Sequence, residues 1–570
     1  MRPVPKPKYL LTAAIFVAVA AAYAALAFQD YRLGTSQIYM SAAALKHHDP
    51  SLYPCDSLFG QGDIWRSYTP VVQRFMDLFL SPTGYEDLYL PFRCLVAVAT
   101  LIYLAGMYAL LKRQCLSWSA SAFTAVMSSA VLYTVGRSYW GVGSLASITP
   151  WTLAMIFSPA LMLLYLSRMH EWRRLLLVFF LIGLAGNLHL VMAANLALTL
   201  ALAFLGQNRF TAKAWARAAA LAGLALAGAL PSIIYYSILR TSVGGGSTPS
   251  AAVGAQALRI ADLGVLYPEL LKNLLLWMLA LVGLMWVPVL ALLSRSQRFR
   301  VRDLRTWAWF TAGAAAVGLV LHGLSQVAGI AMNAPPPVID FVQACTLLML
   351  PVFVLFAQAT VSLFRLFRAH RPLLGCAAGV LLAAWMLPSE NLRGIRYGVM
   401  DTVTMYMPEP ERPRGAQRHH ENFNKFHELV AIGSYARLNT DRRAVFVTDL
   451  SEFRMWGRRS VVACPDDVKY MYYLASGRLE DWLKLVHRQR GLLHPPNGRA
   501  DLAALAAFID QLSRQEPFTG ASQWFVILDT DESPDTPGAF EIVTQGNWGQ
   551  HYRLYRLKSP AASQPATKGS

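Results

Sequence analysis

Residues Phe28 to Asp63 read FQDYRLGTSQIYMSAAALKHHDPSLYPCDSLFGQGD and follow directly on an apolar run, Tyr9 to Phe28. Four aspartates, a His pair and a Pro-bounded DPSLYP thus stand at the end of a segment able to cross a bilayer core, which takes about 20 residues of helix. How this junction is read decides the fold. Either the run is a signal peptide that is cleaved, or it is a first span that gives way to a polar outer loop. Arg2, Lys6 and Lys8 suit a signal peptide, but the apolar run is longer than a usual signal core. AFQD is also a poor small-x-small cleavage site. The run therefore reads as an uncleaved first span.

Composition agrees: 55% hydrophobic and 15% charged over 570 residues is too apolar for an ordinary soluble protein. Further spans are expected at Phe92–Leu111, Trp118–Val135, Trp151–Ser167, Leu175–Gly186, Leu190–Leu205, Ala216–Leu239, Leu274–Leu293, Trp307–Ile330, Phe341–Phe364 and Leu373–Leu387. That makes about eleven. The fifth and sixth meet at Asn187-Leu188-His189, where one kinked helix is the alternative. Loop charge favours two, because basic residues concentrate on the cytoplasmic side of short loops. With eleven spans, Arg2/Lys6/Lys8, Lys112/Arg113, Arg168/Arg173/Arg174, Arg209/Lys213/Arg217, Arg295–Arg305 and Arg365/Arg368/Arg371 all fall inside. The N-terminus is then cytoplasmic, and both the loop after span one and everything after Leu387 are extracytoplasmic. The net charge of +18 is largely this positive-inside signal and calls for no nucleic acid.

Cys94, Cys115, Cys345 and Cys376 fall in or beside apolar spans and read as small hydrophobes. Cys55 and Cys464 fall outside, where a disulfide is chemically permitted and not required. After about residue 389 strands and helices alternate. Glu421–Leu438 has helical spacing, AVFVTD, RSVVAC and WFVILD read as strands, and FEIVTQ and YRLYRL as a closing antiparallel pair. The expected organisation is a transmembrane domain at 1–388, with a large first outer loop at 28–91, an extracytoplasmic α/β domain at 389–557 and a disordered tail at 558–570. In the loop, Gln37–Leu45 and Ile64–Leu80 are expected as amphipathic helices of the kind that lie in lipid headgroups. In the α/β domain Gly457-Arg458-Arg459, with Arg454 and Lys469, form a basic group that either faces an anionic ligand or is solvated. No GxGxxG or P-loop is present, so nucleotide binding has no support.

One long span with an acidic residue at its outer end, a large first loop with two helices, many further spans and a C-terminal domain on the outer face together resemble the GT-C superfamily of integral-membrane glycosyltransferases. DPSLYPCD after span one, and SEFRMWGRRSVV after AVFVTD, resemble a group of bacterial GT-C-like membrane proteins with no assigned substrate. The resemblance implies a protein of the bacterial inner membrane that acts in envelope polysaccharide assembly. It moves a hexosyl or pentosyl unit from a polyprenyl-phosphate-linked donor to a glycan, lipid or protein acceptor. The alternative is a non-catalytic GT-C-like protein, a transporter or a scaffold.

Such transfer needs a carboxylate to accept the acceptor's proton and a cation to offset the phosphate that leaves. Asp30 stands where the resemblance places the essential acid, as base or metal ligand; the bland reading is a turn cap. Arg32, Asp49, Asp56, Arg137, His189 and Asp340 are the candidate substrate contacts. Asp49 also reads as the cap of a turn before Pro50, Arg137 as a headgroup-snorkelling cation, and His189 as a hydrogen-bonded helix residue beside Asn187. His322 and Asp340 share that ambiguity. Asp30 lacks the neighbouring acid that many GT-C members show, and the loop Gly136–Pro150 carries none, so a divalent metal, Mg or Mn, is left open beside a metal-free mechanism. His47 and His48 read as surface residues, and SVGGGSTPS within Thr241–Leu271 as a linker or a segment that orders over substrate.

Overall fold

The structure, a computed structural model, describes residues 7–260, 302–332, 340–366 and 411–558, apart from 32, 61–62, 115, 131–132, 136–137, 244–248, 497 and 535. It adds isolated positions between 283 and 290 and between 372 and 408. The expected spans Leu274–Leu293 and Leu373–Leu387 lie largely outside these residues, as do Arg32, Arg137 and the C-terminal tail. Among the described residues seven helices are long and apolar enough to cross a membrane: Pro7–Phe28, Leu90–Arg113, Pro150–Arg168, Leu190–Gln207, Ala212–Ser242, Leu304–Ala328 and Phe341–Arg365. Two shorter apolar helices, Trp118–Ala130 and Trp172–Ala185, pack among them.

The break at Asn187 separates two helices that run in opposite directions. Helices α8 (Trp172–Ala185) and α10 (Ala212–Ser242) are parallel: Arg217 lies 5.3 Å over the Trp172 ring at one end, and at the other Asn187 donates to the Gly228 carbonyl at 3.1 Å and accepts from Ser232 at 2.9 Å. The intervening helix α9 (Leu190–Gln207) must therefore return across the same thickness. Glycine permits the α8–α10 approach, since a Cβ on Gly183 would come within 2.0 Å of the Ala225 carbonyl oxygen and one on Gly228 within 2.4 Å of that of Phe180.

The basic loop clusters meet on one face of the bundle. Arg302 donates to the Arg113 carbonyl at 2.8 Å, Arg113 lies 3.8 Å from Asp303, and Trp118 donates to the Lys8 carbonyl at 2.9 Å. Asp30, the first loop and the C-terminal domain occupy the opposite face.

The C-terminal domain carries a sheet in the order β4-β3-β5-β7-β6: β3 Ala444–Val447, β4 Ser460–Val461, β5 Gln523–Asp529, β6 Phe540–Val543 and β7 Tyr552–Leu557. β3 is parallel to β4 and β5, and β7 is antiparallel to β5 and β6. Phe446 stacks on Phe525 at 4.7 Å across the registered pair. A long helix, Arg414–Asn439, buries Leu429, Ile432 and Ala436 against this sheet. Its Glu428 carboxylate accepts the backbone N–H groups of Gly549, His551 and Tyr552 at 3.0–3.1 Å, which pins the GNWGQH turn.

At the ends of β3 and β5 the His494 ring bridges two carboxylates, Asp449 at 2.9 Å and Glu532 at 2.8 Å. The Asp449 hydrogen bond, opposed by partial burial and helped by Glu532, raises the His494 pKa to about 9. A raised histidine pKa adds stability that is full below the unfolded value, near 6.5, and is lost as pH rises through about 9. Wild type should therefore lose thermal stability relative to His494→Gln between pH 7 and 10, and the two melting curves should converge at the top of that range. A gap that stays constant with pH would refute the bridge.

Candidate functional site

Helix α1 (Pro7–Gln29) delivers Asp30 to the C-terminal end of the first span, half-buried at the head of the loop. Around it stand residues that the sequence did not single out. Tyr89, just before helix α4 (Leu90–Arg113), donates to the Tyr31 carbonyl at 2.6 Å. Burial raises the Tyr89 pKa; Arg93 opposes the shift, while Asp30, Asp87 and Glu452 add to it, so these charges share one neighbourhood. The Arg93 guanidinium lies between the rings of Phe28 and Tyr89, 4.9 Å from each centroid, with Asp87 at 3.9 Å. Its buried Nε has no hydrogen-bond partner among the described residues. Cation and carboxylate are thus brought to the end of one apolar helix. Arg93 escaped sequence reading because an Arg one turn into an apolar helix looks like a snorkelling residue. Only its aromatic slot distinguishes it.

The C-terminal domain roofs this neighbourhood through the Arg414–Asn439 helix. Tyr31 packs on Phe423 at 5.0 Å and Phe426 at 4.9 Å; Phe426 packs on Trp456, and Trp456 on Tyr89.

The two segments that marked the family resemblance, DPSLYPCD and SEFRMWGRRSVV, turn out to be halves of one lock. Asp56 is 0% exposed, Arg454 1% and Asp467 0%. Arg454 holds Asp56 through Nε at 2.8 Å and a second guanidinium nitrogen at 3.2 Å, and Asp467 through two nitrogens at 2.6 and 2.9 Å. Asp56 also accepts the N–H groups of Leu58, Phe59 and Val461, and Asp467 accepts from Cys464 and the Tyr39 hydroxyl. Burial works against the charge on Arg454, but the facing carboxylates Asp467 and Asp56 outweigh it and hold its pKa above the ordinary value. The DPSLYP turn adds Tyr53, which donates to the Arg454 carbonyl at 2.8 Å. Asp56, expected at substrate, is thus enclosed with no exposed oxygen.

In the basic GRR group the three arginines are held by protein partners, while Lys469 is exposed. Arg454 is in the lock, Arg458 donates to the Tyr85 carbonyl at 2.6 Å, and Arg459 donates to the carbonyls of Arg437 and Thr440. The first-loop helices also need correction. Thr35–His48 (α2) is buried along Gln37–Leu45, because Gln37 donates to the Ile148 carbonyl on one side and Tyr39 reaches Asp467 on the other; it lies between the domains and not in headgroups. The second begins at Pro70, and this α3 (Pro70–Leu80) is amphipathic, with Leu78 66% exposed and Met76 buried.

The remaining candidates fall apart in space. Asp49 caps the turn at Pro50, accepting the Ser51 N–H at 3.0 Å, and pairs with Arg442 at 2.9 Å. His189 caps α9 by accepting the Met192 N–H at 3.2 Å and meets the Trp151 ring edge-on. Asp340 faces His322 at 3.8 Å, and its carbonyl accepts from buried Asn195 at 3.1 Å. His47 pairs with Asp77 at 3.3 Å, and His48 stacks on Tyr85. Cys55 and Cys464 are both buried and free, with the Cys464 thiol directed at the Thr448 carbonyl. Among the described residues, no group of three or more His, Cys, Asp or Glu is arranged to hold a metal ion. After the glycine-rich run, helix Ala251–Ile260 docks on the C-terminal domain, where Gln256 meets His487 at 2.6 Å.

No protein-family model matches the sequence, and no curated protein matches it. Among solved structures, the chain is similar to ArnT from Cupriavidus metallidurans bound to undecaprenyl phosphate, with a TM-score of 0.48 and 12% identity over 96% of this chain and 98% of that one. It is also similar to the Archaeoglobus fulgidus oligosaccharyltransferase tethered to an acceptor peptide that contains the NVT sequon, with a TM-score of 0.41 and 11% identity over 91% of this chain and 69% of that one.

Proposed function

We propose that this protein is an extracytoplasmic-face membrane glycosyltransferase that moves a sugar from a polyprenyl-phosphate carrier to a glycan, lipid or protein acceptor. The observation that carries this reading is the gathering of Asp30 and Arg93 around Tyr89 at the outer end of the first span, under the C-terminal domain. A lipid-borne donor arrives in the membrane plane with its phosphate at that level. In the transfer step the acceptor oxygen bonds to the anomeric carbon as the carbon–oxygen bond to phosphate breaks. Asp30 takes the acceptor proton, and the phosphate departs with the bonding electrons and one more negative charge, which Arg93 offsets.

The test is purified protein with a panel of radiolabelled polyprenyl-phosphate sugars, scored for transfer and hydrolysis. Turnover of at least one donor by wild type and its loss in Asp30→Asn are expected. Silence across a broad panel would favour the non-catalytic alternative.

A further inference from the structure

In the C-terminal sheet the chain leaves β3 toward β4 on one side and leaves β5 toward β6 on the other. The two parallel strands are neighbours, so their outgoing loops part and open a crevice at the carboxyl ends, the place where open α/β sheets take ligands. Asp449 stands just after β3, and Asp529 ends β5. Each carboxylate has a cation: the His494 ring lies 2.9 Å from Asp449, and Lys425 of the helix Arg414–Asn439 lies 4.0 Å from Asp529. Both keep an open side, with Asp449 25% and Asp529 41% exposed.

Tyr552 begins β7 directly opposite Asp529 in the register. It is 7% exposed, and its hydroxyl has no hydrogen-bond partner among the described residues. Burial raises its pKa, and the carboxylates of Asp529, Glu452 and Asp449 add to the shift, so the hydroxyl is set among them. A buried hydroxyl without a partner is costly unless something completes it. The crevice also adjoins the candidate site. Glu452 precedes the short helix Phe453–Gly457, on which Trp456, one turn later, packs against Tyr89 at 5.7 Å.

We propose that this crevice binds a neutral saccharide and holds a glycan acceptor for Asp30, a reading that rests on the transfer function proposed above. The charges select the ligand class. Lys425 and His494, whose pKa of about 9 keeps it a cation at neutral pH, already balance Asp529 and Asp449, so no cationic ligand is called for. The facing carboxylates repel an anion. What remains is a set of carboxylate lone pairs beside an O–H and an ammonium. A sugar hydroxyl donates to the first and accepts from the second, whereas a lipid chain satisfies neither.

Saturation-transfer NMR on the full chain in nanodiscs, with free glucose, galactose, mannose and N-acetylglucosamine as probes, tests this. Wild type should saturate the C–H protons of at least one sugar. Tyr552→Phe removes only the hydroxyl and should weaken binding of that sugar about threefold to tenfold, the loss of one hydrogen bond. Asp529→Ala should abolish the effect. Because the hydroxyl has no partner to lose, Tyr552→Phe should melt with wild type, so its weaker signal reports binding and not unfolding. Both variants should bind polyprenyl phosphate as wild type does. The absence of saturation from all four sugars in wild type overturns the proposal, as does unchanged saturation in both variants. Loss of polyprenyl-phosphate binding in Tyr552→Phe would make the crevice part of the donor site and overturn its acceptor role. Sugar binding without turnover of any donor would refute the transfer reading alone; turnover without sugar binding would refute the crevice alone.

Discussion

Arg454→Ala should destabilise the protein by about 3–5 kcal/mol, the usual cost of removing one member of a buried ion pair. The reason is asymmetry. The substitution leaves Asp56 and Asp467, both fully buried, facing each other across the cavity without their cation. Arg454→Lys should recover only part, since an ammonium is a point charge and cannot serve two carboxylates through a planar fork. Replacing all three residues with apolar ones should also recover only part. The N–H groups of Leu58, Phe59 and Val461 would lose Asp56 as acceptor, and that of Cys464 would lose Asp467. Thermal unfolding in detergent, with limited proteolysis of the junction between loop and C-terminal domain, reads the effect. An Arg454→Ala protein that melts with wild type and resists protease equally would show that the lock does not hold the domains together.

Asp30→Asn should lower the transfer rate by about 10²–10⁴-fold, the range of a positioned general base. Melting should be unchanged, because Asp30 is only half-buried and lies outside the lock. Arg93→Gln should fail differently. It removes the charge proposed to face phosphate, so binding of the carrier phosphate should weaken along with the rate. Measuring polyprenyl-phosphate binding and turnover side by side separates them: Asp30→Asn binds and does not turn over, whereas Arg93→Gln does neither. A variant of Asp30 that keeps a tenth or more of wild-type rate would remove the carboxylate from the mechanism.

Much of the fold was legible in the sequence because its signals are local. The strands AVFVTD, WFVILD and YRLYRL are short apolar or alternating runs between turn residues, and each forms where the pattern puts it. The amphipathic Pro70–Leu80 segment likewise announces itself by spacing. Thr35–His48 misled because Gln37, Ser41 and the run of alanines fit an interfacial helix equally well as one squeezed between two domains. Its surroundings, not its spacing, bury it. Asp30 was nominated from its place at a span end, but Arg93 and Tyr89 join it as candidates only when helix α4 packs beside α1.

What the sequence determined by itself is what short stretches determine: apolar length, the grouping of basic loops on a shared face, and the alternation of the C-terminal domain. The separation of α8 and α9 was favoured by loop charge and decided by the register of α8 on α10. Asp56 and Arg454 stand 398 residues apart, and nothing local distinguishes a carboxylate that meets substrate from one that waits for a buried guanidinium. Only tertiary structure could decide that, because the worth of a charge is set by the partner and the dielectric that folding brings to it. It moved DPSLYPCD from the candidate site to the joint that holds the C-terminal domain over Asp30.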